Sequence, residues 1–391
     1  MNIGVFFGGK STEHDVSIIT GQLIIDGLRK LNHNVVPVYV NRTGEWMIDD
    51  SLGKLGSFTD STKDAGAEPK YKQYFLDLET SRGKMIFRKK GLGGKAVEIE
   101  LAFPAFHGSY GEDGTMQGLF EMFNIPFVGC GVTASAIAMD KAYTKQICQT
   151  YGVPIVPFEV FTKAEWLKDS KEIVKKISKL SWPLFVKPVH LGSSIAIAKV
   201  ENEKELKDQI EVALYYDDKV LVEEGVKNLK DLTCCIIGND ETIASEIQES
   251  IFMAELFDFE EKYLKDGGTQ LGNAKSGIVI PANIEDKVTN DIKAIAKKVY
   301  ASIGCEGIAR VDFLMDTKSG KYFANEVNPL PGTLYEHLWK ASGIEFPELL
   351  TKLLGYAKDA HEKKQKLTHS FSSNILSNLN STKLNRKTER S

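Results

Sequence analysis

Residues Gly307 to Gly332 read GIARVDFLMDTKSGKYFANEVNPLPG. Ile308 to Met315 and Lys321 to Val327 are apolar-rich runs joined by Asp316, Thr317, Lys318, Ser319 and Gly320, the composition of a hairpin with a polar loop. Side chains alternate faces along a strand, so Arg310 and Asp312 share one face, and Glu326 and Asn328 share one face of the partner strand. Two carboxylates and an amide oxygen make a hard-oxygen set suited to Mg²⁺, which keeps few protein ligands. The guanidinium beside them could neutralise charge on a reacting group. The same residues would equally suit the solvated face of an ordinary hairpin, so the upstream sequence has to decide.

Residues 2 to 7 form an apolar run ending at Gly8 and Gly9. A helical pattern follows with Val16, Ile19, Leu23 and Leu28 on one side, and Val35 to Val40 is a second strand. Strand, turn, helix, strand predicts an α/β fold opening on a doubly wound parallel sheet. Gly8 and Gly9 fall short of a dinucleotide fingerprint. Glu13 stands just past the turn, where such sheets bind ligands; it could hold a substrate ammonium or serve the dipole of the helix that begins there. Residues 51 to 70 are polar and read as a surface loop. HGSYGEDGTMQG at 107 to 118 sets glycines beside His107, Glu112 and Asp113, a tight loop handing over to a helix near Thr115. Met139, Asp140, Lys141 and Lys145 follow on a helical segment, with Lys141 either a phosphate ligand or an ordinary surface lysine.

Trp182 to Pro188 reads as a buried strand that delivers Lys187 to its end. His190, Leu191, Gly192, Ser193 and Ser194 then turn the chain into Ile195 to Val200. Strand, glycine-serine turn, strand is a phosphate-covering arrangement in which backbone N–H groups and hydroxyls face an anion. It is not a Walker loop, which needs a helix and a Gly-Lys-Ser/Thr ending. Lys219 to Glu223 is a further strand. Glu223 to Val226 could form a nucleotide hinge, and Asp231 is placed to reach a ribose hydroxyl. Residues 255 to 277, polar and glycine-bearing with aromatic anchors, predict a lid whose Lys262 and Tyr263 could enter a closed site. Helical patterns carry Val288, Ile292, Ile295 and Val299 before the hairpin, and Leu349, Leu350, Leu353 and Leu354 after it.

With 391 residues the chain has room for two or three domains. A formal net charge of −4 offers no basic face for nucleic acid. The five cysteines lack zinc-ligand spacing and read as reduced structural thiols. No stretch approaches the roughly 20 apolar residues of a membrane span, and the N-terminus lacks a basic region followed by a long apolar core, which points to the cytoplasm. Beyond Lys358 the composition turns to Lys, Asn and Ser, predicting a basic tail, disordered or partly helical.

Taken in order, FGGKSTEHDVS at 7 to 17, HGSYGEDGTMQG, MDKAYTK at 139 to 145, KPVHLGSS at 187 to 194, DFEEKYLKD at 258 to 266 and ARVDF…NEVNPLPG at 309 to 332 resemble the D-alanine–D-alanine ligase family of ATP-grasp enzymes. The likeness runs from Met1 to about Tyr356. It implies a substrate-binding domain at 1–140, an ATP-grasp domain at 141–357 with lobes of about 141–218 and 219–357, and the tail at 358–391. It also implies that Lys141, Lys187, Glu223, Glu224, Val226, Asp231 and Lys262 hold ATP, and that Asp312, Glu326 and Asn328 hold two Mg²⁺ or Mn²⁺ ions. Glu13, Ser193 and Tyr263 would surround the first substrate, while Arg310 and the Gly332 N–H would stabilise a tetrahedral intermediate. Amino acids and ATP are then the partners, with a homodimer as the expected assembly. The implied reaction makes D-alanyl-D-alanine for peptidoglycan precursors. The alternatives are a ligase with a different acceptor amino acid, or a nucleotide-binding regulatory protein. The sequence departs from the family pattern at TLYEHL, residues 333 to 338, where a serine-containing step is missing; Leu191, Ala196, Lys230 and Thr233 also differ.

Overall fold

In a computed structural model, residues 1–58, 71–91, 94–192, 195–251 and 277–368 are described. The first sheet orders its strands β6-β5-β4-β3-β2-β1-β7. These are β1 (Asn2–Gly8), β2 (Asn34–Val40), β3 (Trp46–Ile48), β4 (Gln73–Leu76), β5 (Met85–Lys89), β6 (Val97–Ile99) and β7 (Leu101–Pro104). Strand β1 pairs in parallel with β2 and with β7, so Val5 stands between Pro37 and Phe103, and Phe127 adds an isolated parallel bridge to Ala102 of β7. From β2 outward the pairings are antiparallel, and the sheet is therefore mixed. Its parallel core behaves as the sequence predicts, because β1 and β7 are buried along most of their length and read as continuous apolar runs.

Helix α1 (His14–Lys30) follows the Gly8–Gly9 turn, where φ values of 91° and 90° call for glycine. Its buried face differs from the expected one: Ile19 is exposed while Ser17, Thr20, Gly21, Ile24 and Ile25 are buried. The cause is crowding from two sides, since a Cβ on Gly21 would come within 2.7 Å of Phe7 and one on Gly27 within 2.5 Å of Leu350. The expected surface loop after residue 50 begins with two short 3₁₀ turns, and Leu52 is fully buried. Three helices lead to the second sheet: α2 (Thr115–Met122), α3 (Val132–Met139) and α4 (Lys141–Thr150). The helical segment expected around Met139 is broken at Asp140, whose carboxylate accepts from the Tyr143 N–H at 2.8 Å and so starts α4 afresh.

The second sheet, β10-β9-β11-β8, is antiparallel. It comprises β8 (Phe158–Thr162), β9 (Leu184–Pro188), β10 (Ala198–Val200) and β11 (Lys219–Glu224), with α5 (Lys163–Ile177) and α6 (Glu203–Tyr216) packed on it. A capping box between Thr162 and Glu165 opens α5. The third sheet, β14-β13-β12-β15-β16, contains β12 (Leu229–Gly238), β13 (Thr242–Ser250), β14 (Ile278–Val279), β15 (Gly307–Asp316) and β16 (Tyr322–Asn328). Helix α7 (Asp286–Ile303) packs its Ile292, Ala296 and Val299 against this sheet. After it come α8 (Glu336–Ala341) and α9 (Phe346–Gln365). Leu338, Trp339, Leu349, Leu350 and Leu353 join Ile24, Ile25 and Leu28 of α1 in one core. The beginning of the expected tail is thus helical through Gln365, held by Ala357 in that core and by the pairing of Lys364 with Glu121 at 2.7 Å. All five cysteines are buried and none forms a disulfide; burial raises Cys148 to about 11 and Cys234 to about 12, which leaves inert thiols.

Candidate active site

The hairpin forms with the expected facing. Arg310 lies opposite Asn328 and Asp312 opposite Glu326 across β15 and β16. The Arg310 Nε and Nη2 donate to the Asp312 carboxylate at 2.9 and 2.7 Å, and Nη2 stands 3.8 Å from Glu326. Asp312 also accepts from the Thr233 hydroxyl at 2.9 Å and from the Asn328 amide at 3.4 Å. Burial pushes the Asp312 carboxyl up, Arg310 draws it down, and the Glu326 carboxylate pushes it up again. Two acids set face to face, with an amide beside them, fit a divalent cation by donor chemistry, because the cation would relieve their repulsion.

Glu13, His107, Glu112, Lys141, Gly192, Arg310, Glu326, Asn328 and Gly332 line one narrow cavity of about 50 Å³. Glycines are needed here for space as well as for backbone conformation. A Cβ on Gly192 would lie 2.9 Å from the Glu13 carboxylate, and so would one on Gly108, whose φ is 74°. Glu112 holds the Gly108 N–H at 2.5 Å and faces His107 at 3.6 Å; burial raises its carboxyl, against the pull of His107. The His107 ring meets the Thr20 hydroxyl at 2.9 Å. The cavity therefore offers carboxylates from Glu13 and Glu112, and cations from Lys141 and Arg310. Such a lining suits a zwitterion, with its ammonium toward the acids and its carboxylate toward the cations.

A second constellation lies on the other sheet. The Lys145 and Lys187 ammonium groups approach the Glu223 carboxylate at 2.8 and 2.5 Å. The Lys145 contact is off the hydrogen-bonding direction and acts as a charge contact. Burial would raise the Glu223 carboxyl, but Lys145 and Lys187 together hold it at about 2. Lys187 also donates to Asn325 at 3.5 Å, which links this sheet to β16. Lys141 donates to the Leu191 carbonyl at 2.6 Å. Beyond Glu223, Glu224 accepts from the Ser181 N–H and the Gly225 N–H donates to the Pro183 carbonyl, so the chain from Glu224 toward Val226 is pinned to the turn before β9. Asp231 lies on β12 opposite Leu314, and its charge acts on the buried Tyr335 hydroxyl. Ala196 holds φ at 55°, in the left-handed region that favours glycine. Ser193, Lys262 and Tyr263, with most of the expected lid, lie outside the described residues.

Thr233, Lys145 and Tyr335 were not among the expected site residues. Lys145 stands four residues after Lys141, and a helical projection could have placed both on one face. Thr233 reaches Asp312 through the β12–β15 pairing, which no local pattern reveals. Tyr335 arrives by a turn in which Thr333, Leu334 and Tyr335 have φ of 50°, 55° and 52°. None is glycine, and each left-handed residue costs roughly 1–2 kcal/mol. A larger hollow, about 460 Å³, opens between the end of α2 and the last turns of α9; its Glu121 and Lys364 neutralise each other, and the set of acids and cations described above lies elsewhere.

Comparison with known proteins agrees with this architecture. The model for the D-ala D-ala ligase N-terminus matches residues 2–130, and that for the D-ala D-ala ligase C-terminus matches 147–355. The D-alanine–D-alanine ligase of Thermosipho africanus is 35% identical, over 96% of this chain and 98% of that protein. The solved D-alanine-D-alanine ligase from Coxiella burnetii superposes with a TM-score of 0.78 at 27% identity, covering 94% of this chain and 96% of that one. The VanG D-Ala:D-Ser ligase from Enterococcus faecalis gives 0.75 at 30% identity, covering 91% and 99%. The fold is that of an ATP-grasp ligase. The chain belongs to the D-alanine–D-alanine ligase family.

Proposed function

We propose that the protein joins two molecules of D-alanine to D-alanyl-D-alanine at the expense of ATP, for peptidoglycan precursor synthesis. The observation that supports this most is the single cavity that gathers Glu13, Lys141, Arg310, Glu326, Asn328 and Gly332 from opposite ends of the chain. A carboxylate resists an amine nucleophile because oxide leaves poorly. An oxygen of the first D-alanine therefore attacks the γ-phosphorus of ATP, the β–γ bridging bond breaks, and ADP departs from an acyl phosphate. Glu13 holds the ammonium of that first substrate, with Ser193 and Tyr263 beside it. Lys141 and Lys187 face the phosphates, and Glu223, Glu224, Val226, Asp231 and Lys262 receive the rest of the nucleotide.

The neutral amine of the second amino acid then attacks the carbonyl carbon, and its proton passes to solvent or phosphate. Arg310 and the Gly332 N–H hold the resulting oxyanion, a single such donor being worth roughly 3–4 kcal/mol. The C–O bond to phosphate breaks, leaving a dipeptide. Asp312, Glu326 and Asn328 would hold two Mg²⁺ or Mn²⁺ ions, which supply charge neutralisation at the transferred phosphoryl group when bound. A homodimer acting in the cytoplasm is the expected setting. One observation favours a second reading, a different acceptor amino acid: the left-handed turn at 333–335 replaces the family's serine-containing step. The test is ADP release with Mg²⁺ and a panel of D- and L-amino acids, with products identified by mass and chirality. D-alanine alone should support turnover, and chelation should abolish it. A requirement for a second, different amino acid would transfer the assignment to the other acceptor.

A further inference from the structure

Arg310 is held on two sides. One edge of its guanidinium is bound by Asp312, while Nη1 donates to the Tyr335 hydroxyl at 3.3 Å and the guanidinium carbon lies 5.0 Å from the centre of the Tyr335 ring. Of its five N–H donors these contacts use three, and two remain for the cavity that Arg310 lines. Tyr335 itself is buried, outside that lining. It reaches Arg310 only because three successive non-glycine residues adopt left-handed backbone. Strain of this kind persists where surrounding structure imposes it, and it gathers at functional sites. Here Thr20, on the element that carries the substrate-side loop, receives the Thr333 N–H at 3.1 Å and also meets His107. The same turn thus ties Arg310 on one side to the Glu13 end of the cavity on the other.

We propose that Tyr335 is a positioning residue for the amide-forming step: its hydroxyl and ring fix the plane of Arg310 so that the two remaining N–H donors meet the oxyanion. The inference rests on the ligase reading. It separates the two halves of the reaction, because phosphoryl transfer does not depend on the exact aim of Arg310 whereas collapse to the amide does. Tyr335→Phe keeps the ring in the core and deletes only the hydroxyl.

The test measures two products in the full-length protein with ATP, Mg²⁺ and D-alanine. One is D-alanyl-D-alanine; the other is D-alanyl hydroxamate, formed when hydroxylamine attacks the acyl phosphate through nitrogen and displaces phosphate, with hydroxylamine raised until the rate no longer depends on it, so that hydroxamate appears at the rate of phosphoryl transfer. In Tyr335→Phe the dipeptide kcat should fall about tenfold, as expected for loss of a hydrogen bond to a charged group, with KM for ATP unchanged and hydroxamate formation within twofold. In an Arg310→Lys background the same change should cost less than twofold, since Tyr335 acts through the guanidinium. An unchanged dipeptide rate in Tyr335→Phe, an equal loss of both products, or the same loss in both backgrounds overturns the proposal. If the unmodified protein forms neither product, the ligase reading fails and takes this inference with it.

Discussion

At Glu223 one buried carboxylate meets two ammonium groups, and the balance between burial and charge sets an acid limit for the fold. The unfolded chain takes up a proton here near its ordinary value of 4.5, whereas the folded chain resists until about 2. Stabilisation is therefore fully present above about pH 4.5 and is lost as pH falls toward 2. Glu223→Gln leaves Lys145 and Lys187 buried without a counter-charge and should cost roughly 3–5 kcal/mol at pH 7 in urea unfolding. Its deficit against the native protein should shrink steadily between pH 4.5 and pH 3; a constant deficit would refute the charge assignment. Residues of this kind were legible where their relation is local. Arg310, Asp312, Glu326 and Asn328 could be placed on facing strands because the side-chain period is two and the hairpin is short. Tyr335 could not, because its position depends on a backbone conformation that Thr-Leu-Tyr does not announce.

Among the elements, the turn after β9 is clamped by His190. Its ring meets Asp140, the cap of α4, at 3.2 Å and Asp217, at the end of α6, at 2.9 Å; Lys219 on β11 also reaches Asp140 at 2.9 Å. The hydrogen bonds to Asp140 and Asp217 raise the imidazole to about 9 against the cost of burial. Its contribution is present in full below about pH 6.5 and disappears as pH rises through 9. His190→Gln should therefore melt below the native protein at pH 6 and together with it at pH 10; a gap that persists at pH 10 would show that packing, not charge, holds the clamp. The hairpin strands, β11, α2, α7 and α9 could be read from period and punctuation. Strands β3 to β6 could not, being three to five residues long and pairing only with one another and the edge of β2. The face of α1 was misread because Gly21 and Gly27 let it be packed from both sides, and a single apolar stripe describes only a helix covered on one.

Across the whole molecule, α1 and α9 share a core. Leu350 of α9 is fully buried against α1, with Ile25 and Leu28 in the same cluster. Leu350→Ala should lower unfolding stability by roughly 2–5 kcal/mol. Urea unfolding followed by tryptophan fluorescence checks this, since Trp339 sits in that core; a loss below 1 kcal/mol would mean the helix contributes little there.

That shared core has a consequence for the way the chain is made. The strands of the first sheet leave the ribosome early, but α9 (Phe346–Gln365), which covers α1, follows on the order of half a minute later at ordinary elongation rates. During that interval the side of α1 at Gly27, against which Leu350 and Phe346 pack, has no native cover. The first sheet with α1 must wait with that side open to any binding partner, and the arrival of α9, not completion of the first sheet, sets the moment of burial.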